Sequence, residues 1–128
     1  MDLAQLQGWI DAYVEAWSSN DAGQIGALFS DDARYYTHPF REPWRGREAI
    51  VKNWGEHPDP PGSWQARYQA LAATGNTGVV RGHTRYFKED GSTETEYANV
   101  FVIEFDDEGR VKEFTEFFMR SNPPPRSA

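Results

Sequence analysis

Apolar residues near the start of the chain recur at three- and four-residue steps: Leu3, Leu6, Ile10, Val14 and Trp17, with Tyr13 beside them. That spacing puts one apolar stripe on an amphipathic helix, expected to end near Ser18. Asn20 and Asp21 then offer helix-capping oxygens, and Gln24 follows Asp21 by three residues. Ile25, Leu28 and Phe29 supply the apolar face of a second short helix, ending before Asp31-Asp32. The segment Arg34-Tyr35-Tyr36-Thr37 is rich in strand formers and predicts a short strand. It stops at His38-Pro39, because proline biases the residue before it towards extended geometry and cannot donate to a ladder. A third helix is predicted from Gly46 to Trp54, with Ile50, Val51 and Trp54 on one side, ended by the prolines between Pro58 and Pro61.

From Trp64 onward the period changes to two, which predicts four strands near residues 64–73, 78–88, 94–105 and 110–119. Asp90-Gly91 and Asp107-Glu108-Gly109 supply the positive-φ glycine of tight hairpins. The gaps between strands are too short for helical crossovers, so the sheet is expected to be antiparallel. Three helices before a meander make an α+β fold, with the helices against one face of a bent sheet. A chain of 128 residues, 38% apolar, suits one core and is too short for two. Residues 1–120 are read as that domain, and residues 121–128, with three consecutive prolines, as a disordered tail.

Thirteen basic against twenty acidic side chains give a formal charge of −7, which repels phosphate backbones and anionic lipid alike. No nucleic-acid or membrane partner is expected, and a small molecule or a protein partner remains. The N-terminal stretch carries acids and no basic leader, and no run approaches the ~18 apolar residues of a membrane span. The chain contains no cysteine, which excludes disulfides, thiolate zinc sites and a thiol nucleophile. A soluble, cytoplasmic protein is the expectation. Phosphate-loop, dinucleotide, nucleophile-elbow and His-Glu-x-x-His motifs are absent. His38, His57 and His83 lie in different elements without ligand spacing, so neither an obligate metal nor another cofactor is expected, and His57 beside its prolines reads as surface.

The two faces of the late strands carry the remaining information. Over 96–105 one face holds Tyr97, Asn99, Phe101, Ile103 and Phe105, and the other Ala98, Val100 and Val102. In the last strand Phe114, Glu116 and Phe118 fall on one side, and Val111, Thr115, Phe117 and Met119 on the other. Helices cover one face only. The uncovered face, with Val100, Val102, Phe117 and Met119, would show more contiguous apolar surface than soluble monomers usually do, which predicts a two-fold homodimer through it.

Polar side chains at interior positions are the candidates for chemistry. Glu116 lies between Phe114 and Phe118, Asn99 between Tyr97 and Phe101, and His83 alternates with Arg81 and Arg85. An unpaired carboxylate there would cost several kcal/mol, so Glu116 is expected either to pair with Arg81, Arg85 or a histidine, or to take up a proton. Two outcomes are open: an Arg/Glu pair that closes the mouth of the sheet, or a polar-tipped aromatic pocket. In the pocket reading Tyr13 donates to a ligand oxygen and His38 or Glu116 moves a proton. Trp17, Trp54, Tyr97, Phe101 and Phe118 line the wall, with His83 and Asn99 as further ligand contacts. The implied ligand is a small hydrophobic molecule with a polar group.

Together these features resemble the SnoaL-like branch of the nuclear transport factor 2-like superfamily over about residues 5–120. The carriers are Tyr13-Val14-Glu15-Ala16-Trp17, Leu28-Phe29-Ser30-Asp31-Asp32-Ala33, Trp44-Arg45-Gly46-Arg47-Glu48-Ala49-Ile50, and Asn99 to Asp106 with Gly109-Arg110-Val111. The resemblance implies a cone of three helices on a strongly curved, mainly antiparallel sheet enclosing a pocket, usually in a homodimer packed through the outer sheet face. Its members include ketosteroid isomerases, polyketide cyclases, epoxide hydrolases and dehydratases, besides domains with no known reaction, so the fold alone does not name one. The isomerases' oxyanion-donating tyrosine falls on Tyr13. Their aspartate base falls on His38 if Pro39-Phe40 is the anchor, and on Thr37 if residues are counted from Asp31-Asp32-Ala33. Their second donor, a protonated aspartate in the sheet, falls on Phe101, which cannot donate. The resemblance thus implies an isomerase, cyclase or hydrolase using acid/base chemistry through an altered set of residues. The other reading is a non-catalytic module that binds a ligand or dimerises.

Overall fold

A computed structural model describes residues 1–56 and 58–121. His57 and the proline tail from residue 122, read above as surface and as disordered, lie outside the described residues. Helix α1, Leu3–Ser19, opens with a reciprocal cap: the Asp2 carboxylate accepts from the Gln5 amide, and the Gln5 side chain accepts from the Asp2 amide. Its buried row is Leu6, Trp9, Ile10, Tyr13 and Ala16. Leu3 was expected in that row but remains 48% exposed, while Trp9 packs against Phe29, Phe105 and Phe114. The helix ends at Asn20, whose left-handed φ of 52° turns the chain. Asp21 caps α2, Ala22–Ala27, by accepting from the Gln24 amide.

Leu28 and Phe29 leave the second helix that the apolar pattern had given them. Leu28 is its C-cap, and Phe29 opens strand β1, Phe29–Tyr36, five residues ahead of the expected start at Arg34. The two-residue strand β2, Trp44–Arg45, was not anticipated. It pairs antiparallel with β1 and leads through Gly46, at φ 89°, into α3, Arg47–Glu56. The four long strands β3 (Trp64–Thr74), β4 (Thr77–Phe87), β5 (Thr93–Phe105) and β6 (Val111–Arg120) fall close to their expected positions. They form an antiparallel meander within one six-stranded sheet, ordered β2-β1-β6-β5-β4-β3. The pairing of β1 with β6 is parallel. No hairpin joins those two strands, so the tight-turn argument for antiparallel pairing does not reach them.

The fold is therefore α+β, with N-terminal helices packed on a curled, mainly antiparallel sheet. Phe29, Phe101, Phe105 and Phe114 are fully buried between the helices and the sheet, each contributing roughly 2–3 kcal/mol by burial. In β5 the inner row is Asn99, Phe101, Ile103 and Phe105, as the alternation required. Val111 departs from its expected outward position and is fully buried. The cause is a bulge: Glu104 pairs with Glu113 and Phe105 with Val111, so two residues of β6 advance against one of β5 and the parity flips at Lys112. Beyond the bulge Phe114 and Glu116 face inward, while Val100, Phe117 and Met119 are exposed on the outer face. Among the described residues no helix is long and apolar enough to cross a membrane.

Candidate functional site

Where the sheet curls away from α1 and α3, a cavity of about 410 Å³ opens between them. Its wall is almost wholly aromatic: Tyr13 and Trp17 from α1, Tyr35 and Trp44 from β1 and β2, and Trp54 from α3. Tyr68, Tyr86, Tyr97 and Phe118 come from the long strands. The polar remainder is Asp59, Thr84, Asn99 and Glu116.

Three hydrogen bonds chain four of these residues together. The Thr84 hydroxyl donates to Asn99 Oδ1 at 2.9 Å, and Asn99 Nδ2 donates to Glu116 Oε2 at 2.9 Å. The Tyr68 hydroxyl lies 2.8 Å from Thr84 Oγ1. Thr84 has one proton and spends it on Asn99, so Tyr68 is the donor to Thr84, and the chain has a fixed direction ending at the carboxyl. Register explains the alignment: Gly82 stands opposite both Tyr68 and Asn99, and Phe101 opposite Glu116. A Cβ on Gly82 would lie 2.1 Å from the Tyr68 ring, so only glycine lets that ring cross the sheet to reach Thr84. A separate pair, the Tyr13 and Tyr35 hydroxyls, meets at 2.8 Å. One proton makes that bond and the second is free for a ligand oxygen.

Burial is the dominant influence on Glu116, which it pushes from an ordinary value of 4.5 up to about 7. The Asn99 hydrogen bond, which favours the ionised form, offsets part of this. Burial also raises Tyr13 and Tyr35 well above 10, with the Glu116 charge adding to the effect, so both remain protonated donors. The cavity thus holds an acid poised to exchange a proton near neutral pH beside fixed hydroxyl donors.

The match to the family described as SnoaL-like domain covers residues 10–114, from the middle of α1 into β6. The chain belongs to the SnoaL-like domain family. Its fold is shared with two solved structures. A crystal structure from Kribbella flavida DSM 17836, provisionally named a ketosteroid isomerase, superposes with a TM-score of 0.73 at 22% identity, covering 98% of this chain and 85% of that one. An NTF-2 like protein of unknown function from Burkholderia xenovorans LB400 gives a TM-score of 0.72 at 19% identity, over 98% and 91% of the two chains. No curated protein matches.

Of the residues singled out in the sequence, this SnoaL-like cavity brings together Tyr13, Trp17, Trp54, Tyr97, Asn99, Phe118 and Glu116. Three others are elsewhere. Phe101 is 1% exposed and lies beneath the floor, covered by Tyr13, Tyr68 and Phe114, so it supports the wall without lining it. His83 faces the opposite side of β4, exposed and 3.1 Å from Glu96, because Gly82 and Thr84 take the inner positions around it. His38 sits in the loop after β1, where its Nδ1 accepts from the Phe40 amide at 3.1 Å and its ring meets Phe118 edge-on. Neither His38 nor Thr37 lines the cavity. Of the two outcomes left open for Glu116, pairing with Arg81, Arg85 or a histidine is not the one found: Arg81 is exposed on the outer side, Arg85 and His83 pair with Glu96, and Glu116 instead accepts from Asn99 with its pKa raised by burial. Tyr35, Trp44, Asp59, Tyr68, Thr84 and Tyr86 were not foreseen. Among the described residues no three of His, Asp and Glu gather as a metal-binding group.

Proposed function

We propose that this SnoaL-like protein binds a small hydrophobic carbonyl compound in the aromatic cavity and moves a proton on it through Glu116. A single observation carries the reading: a carboxyl held at about 7 by burial, with one oxygen fixed by Asn99, inside a ligand-sized cavity. Isomerisation suits this arrangement best. Ionised Glu116 takes a proton from the carbon next to a carbonyl and returns it elsewhere, while the free hydroxyl proton of the Tyr13/Tyr35 pair meets the oxygen as it becomes negative. The likeness in fold to a protein provisionally named a ketosteroid isomerase supports the class of reaction without supplying its substrate. A homodimer through the outer face, where Val100, Phe117 and Met119 are exposed, completes the proposal.

The second reading, a binding module without turnover, is favoured by His38 and Thr37 standing outside the cavity. Incubation with a panel of cyclic ketones and enones in D2O separates the two. Turnover predicts deuterium uptake next to the carbonyl, rising with pH through about 7 and lost in Glu116→Gln. Binding without exchange in the wild type would leave the module.

A further inference from the structure

The cavity's charge balance says which ligands it accepts. Two carboxyl groups, Asp59 and Glu116, face into it, and among its described lining residues there is no lysine, arginine or histidine. The Asp59 Oδ2 atom accepts from Trp17 Nε1 at 2.8 Å. That indole is itself stacked on Trp64 at 3.7 Å, so the acid is held against a fixed aromatic support. Its second oxygen accepts from no side chain or amide among the described residues.

Some of the wall's donors are committed elsewhere. The Tyr68 proton goes to Thr84, the Thr84 proton to Asn99, one Asn99 proton to Glu116, and one proton of the Tyr13/Tyr35 pair to its neighbour. The donors left over, such as the Tyr86 and Tyr97 hydroxyls and the Trp44 and Trp54 indoles, are all neutral, so nothing in the described wall balances the two acids. Burial pushes the Tyr86 hydroxyl up, and the charges of Asp59 and then Glu116 add to the effect. Glu116 opposes ionisation of Tyr13, Tyr35 and Tyr68 in the same way. An anionic ligand would enter a negative, poorly solvated space with no counter-charge. A protonated amine brings the positive charge that the described wall lacks, and it enters among aromatic rings that favour cations.

We propose that the ligand of this cavity carries a protonated amine on an aromatic or alicyclic body, with Asp59 as the ammonium's anchor. The inference rests on the cavity being a ligand site, as proposed above, and adds the ligand's charge class and the residue that selects it. Asp59 lies outside the Thr84-Asn99-Glu116 chain, so the anchor and the proton-moving group are different residues.

Three probes of one shape test this at pH 7.5 by titration calorimetry: 2-(1-naphthyl)ethylamine, 2-(1-naphthyl)ethanol and 1-naphthylacetate. The expected order is ammonium, then alcohol, then carboxylate, with the ammonium about tenfold tighter than the alcohol, since hydrogen bonds to charged groups exceed neutral ones by about that factor. Asp59→Asn keeps an oxygen for the Trp17 indole and is expected to lower ammonium affinity about tenfold while leaving the alcohol unchanged. Alcohol or carboxylate binding as tightly as the ammonium would overturn the charge class and leave the pocket reading standing. An ammonium preference undiminished in Asp59→Asn would overturn the anchor. If none of the three binds, the charge class and the anchor fall, while the carbonyl reading stands or falls on its own panel of ketones and enones.

Discussion

Replacing Glu116 with glutamine removes the ionisable group while keeping its shape and an oxygen for Asn99 Nδ2. The folded-state carboxyl titrates at about 7, against 4.5 for an unperturbed one. Between those values the folded protein holds a proton that the unfolded chain has released, so stability falls as pH rises through the window and levels off above it. At 1.36 kcal/mol per pH unit, the interval costs the wild type about 3 kcal/mol between pH 4.5 and pH 7. The glutamine variant carries no such dependence. Near pH 4.5 the two proteins are expected to agree within about 1 kcal/mol, and by pH 8.5 the variant is more stable by about 3 kcal/mol, roughly 10 °C in Tm for a domain of this size. Urea unfolding followed by tryptophan fluorescence at several pH values measures the difference directly. All other ionisable groups are common to the two proteins and cancel in the subtraction. A difference between variant and wild type that stays flat from pH 4.5 to 8.5 would refute the reasoning, because it would mean that Glu116 is as well solvated folded as unfolded.

The hydrogen-bonded chain and the sheet faces give further expectations. Asn99→Leu removes the donor that favours ionised Glu116 and orphans the Thr84 hydroxyl, so the Glu116 midpoint moves higher and stability falls by about 1–3 kcal/mol, read by NMR titration and urea unfolding. Gly82→Ala drives a Cβ into the Tyr68 ring and is expected to cost about 1–3 kcal/mol and to break the Tyr68–Thr84 bond, visible as a shifted tyrosine ring environment by NMR. Phe117→Glu places a charge on the exposed outer face and is expected to convert a dimer to monomer in sedimentation velocity, whereas a wild type already monomeric at micromolar concentration would remove the proposed dimer.

The long strands were legible because their alternation is strong and their turns carry glycine where φ is positive, at Gly91 and Gly109. Asn99 and Glu116 were legible for the same reason: each interrupts an otherwise apolar inner row. Strand β4 misled because two of its inward positions, Gly78 and Gly82, carry no side chain. The visible alternation there is Arg81-His83-Arg85, which belongs to the outer face. A glycine inside a strand signals close approach of another group, and reading Gly82 that way would have pointed to Thr84 and Tyr86 as its inward neighbours. Val111 was misplaced because a bulge at the start of β6 leaves no mark in a two-residue period. Asp59 and Trp44 reach the cavity from a loop and a two-residue strand, where periodicity says nothing about direction.

The central claim is that Glu116 is an inward-facing carboxyl poised near neutrality. Carbon-13 NMR of the glutamate side-chain carboxyl resonances, with Glu116 identified by its disappearance in Glu116→Gln, follows that proton directly. The account predicts one resonance titrating with a midpoint of about 7, apart from the rest. A Glu116 resonance titrating near the ordinary value of 4.5 would contradict it.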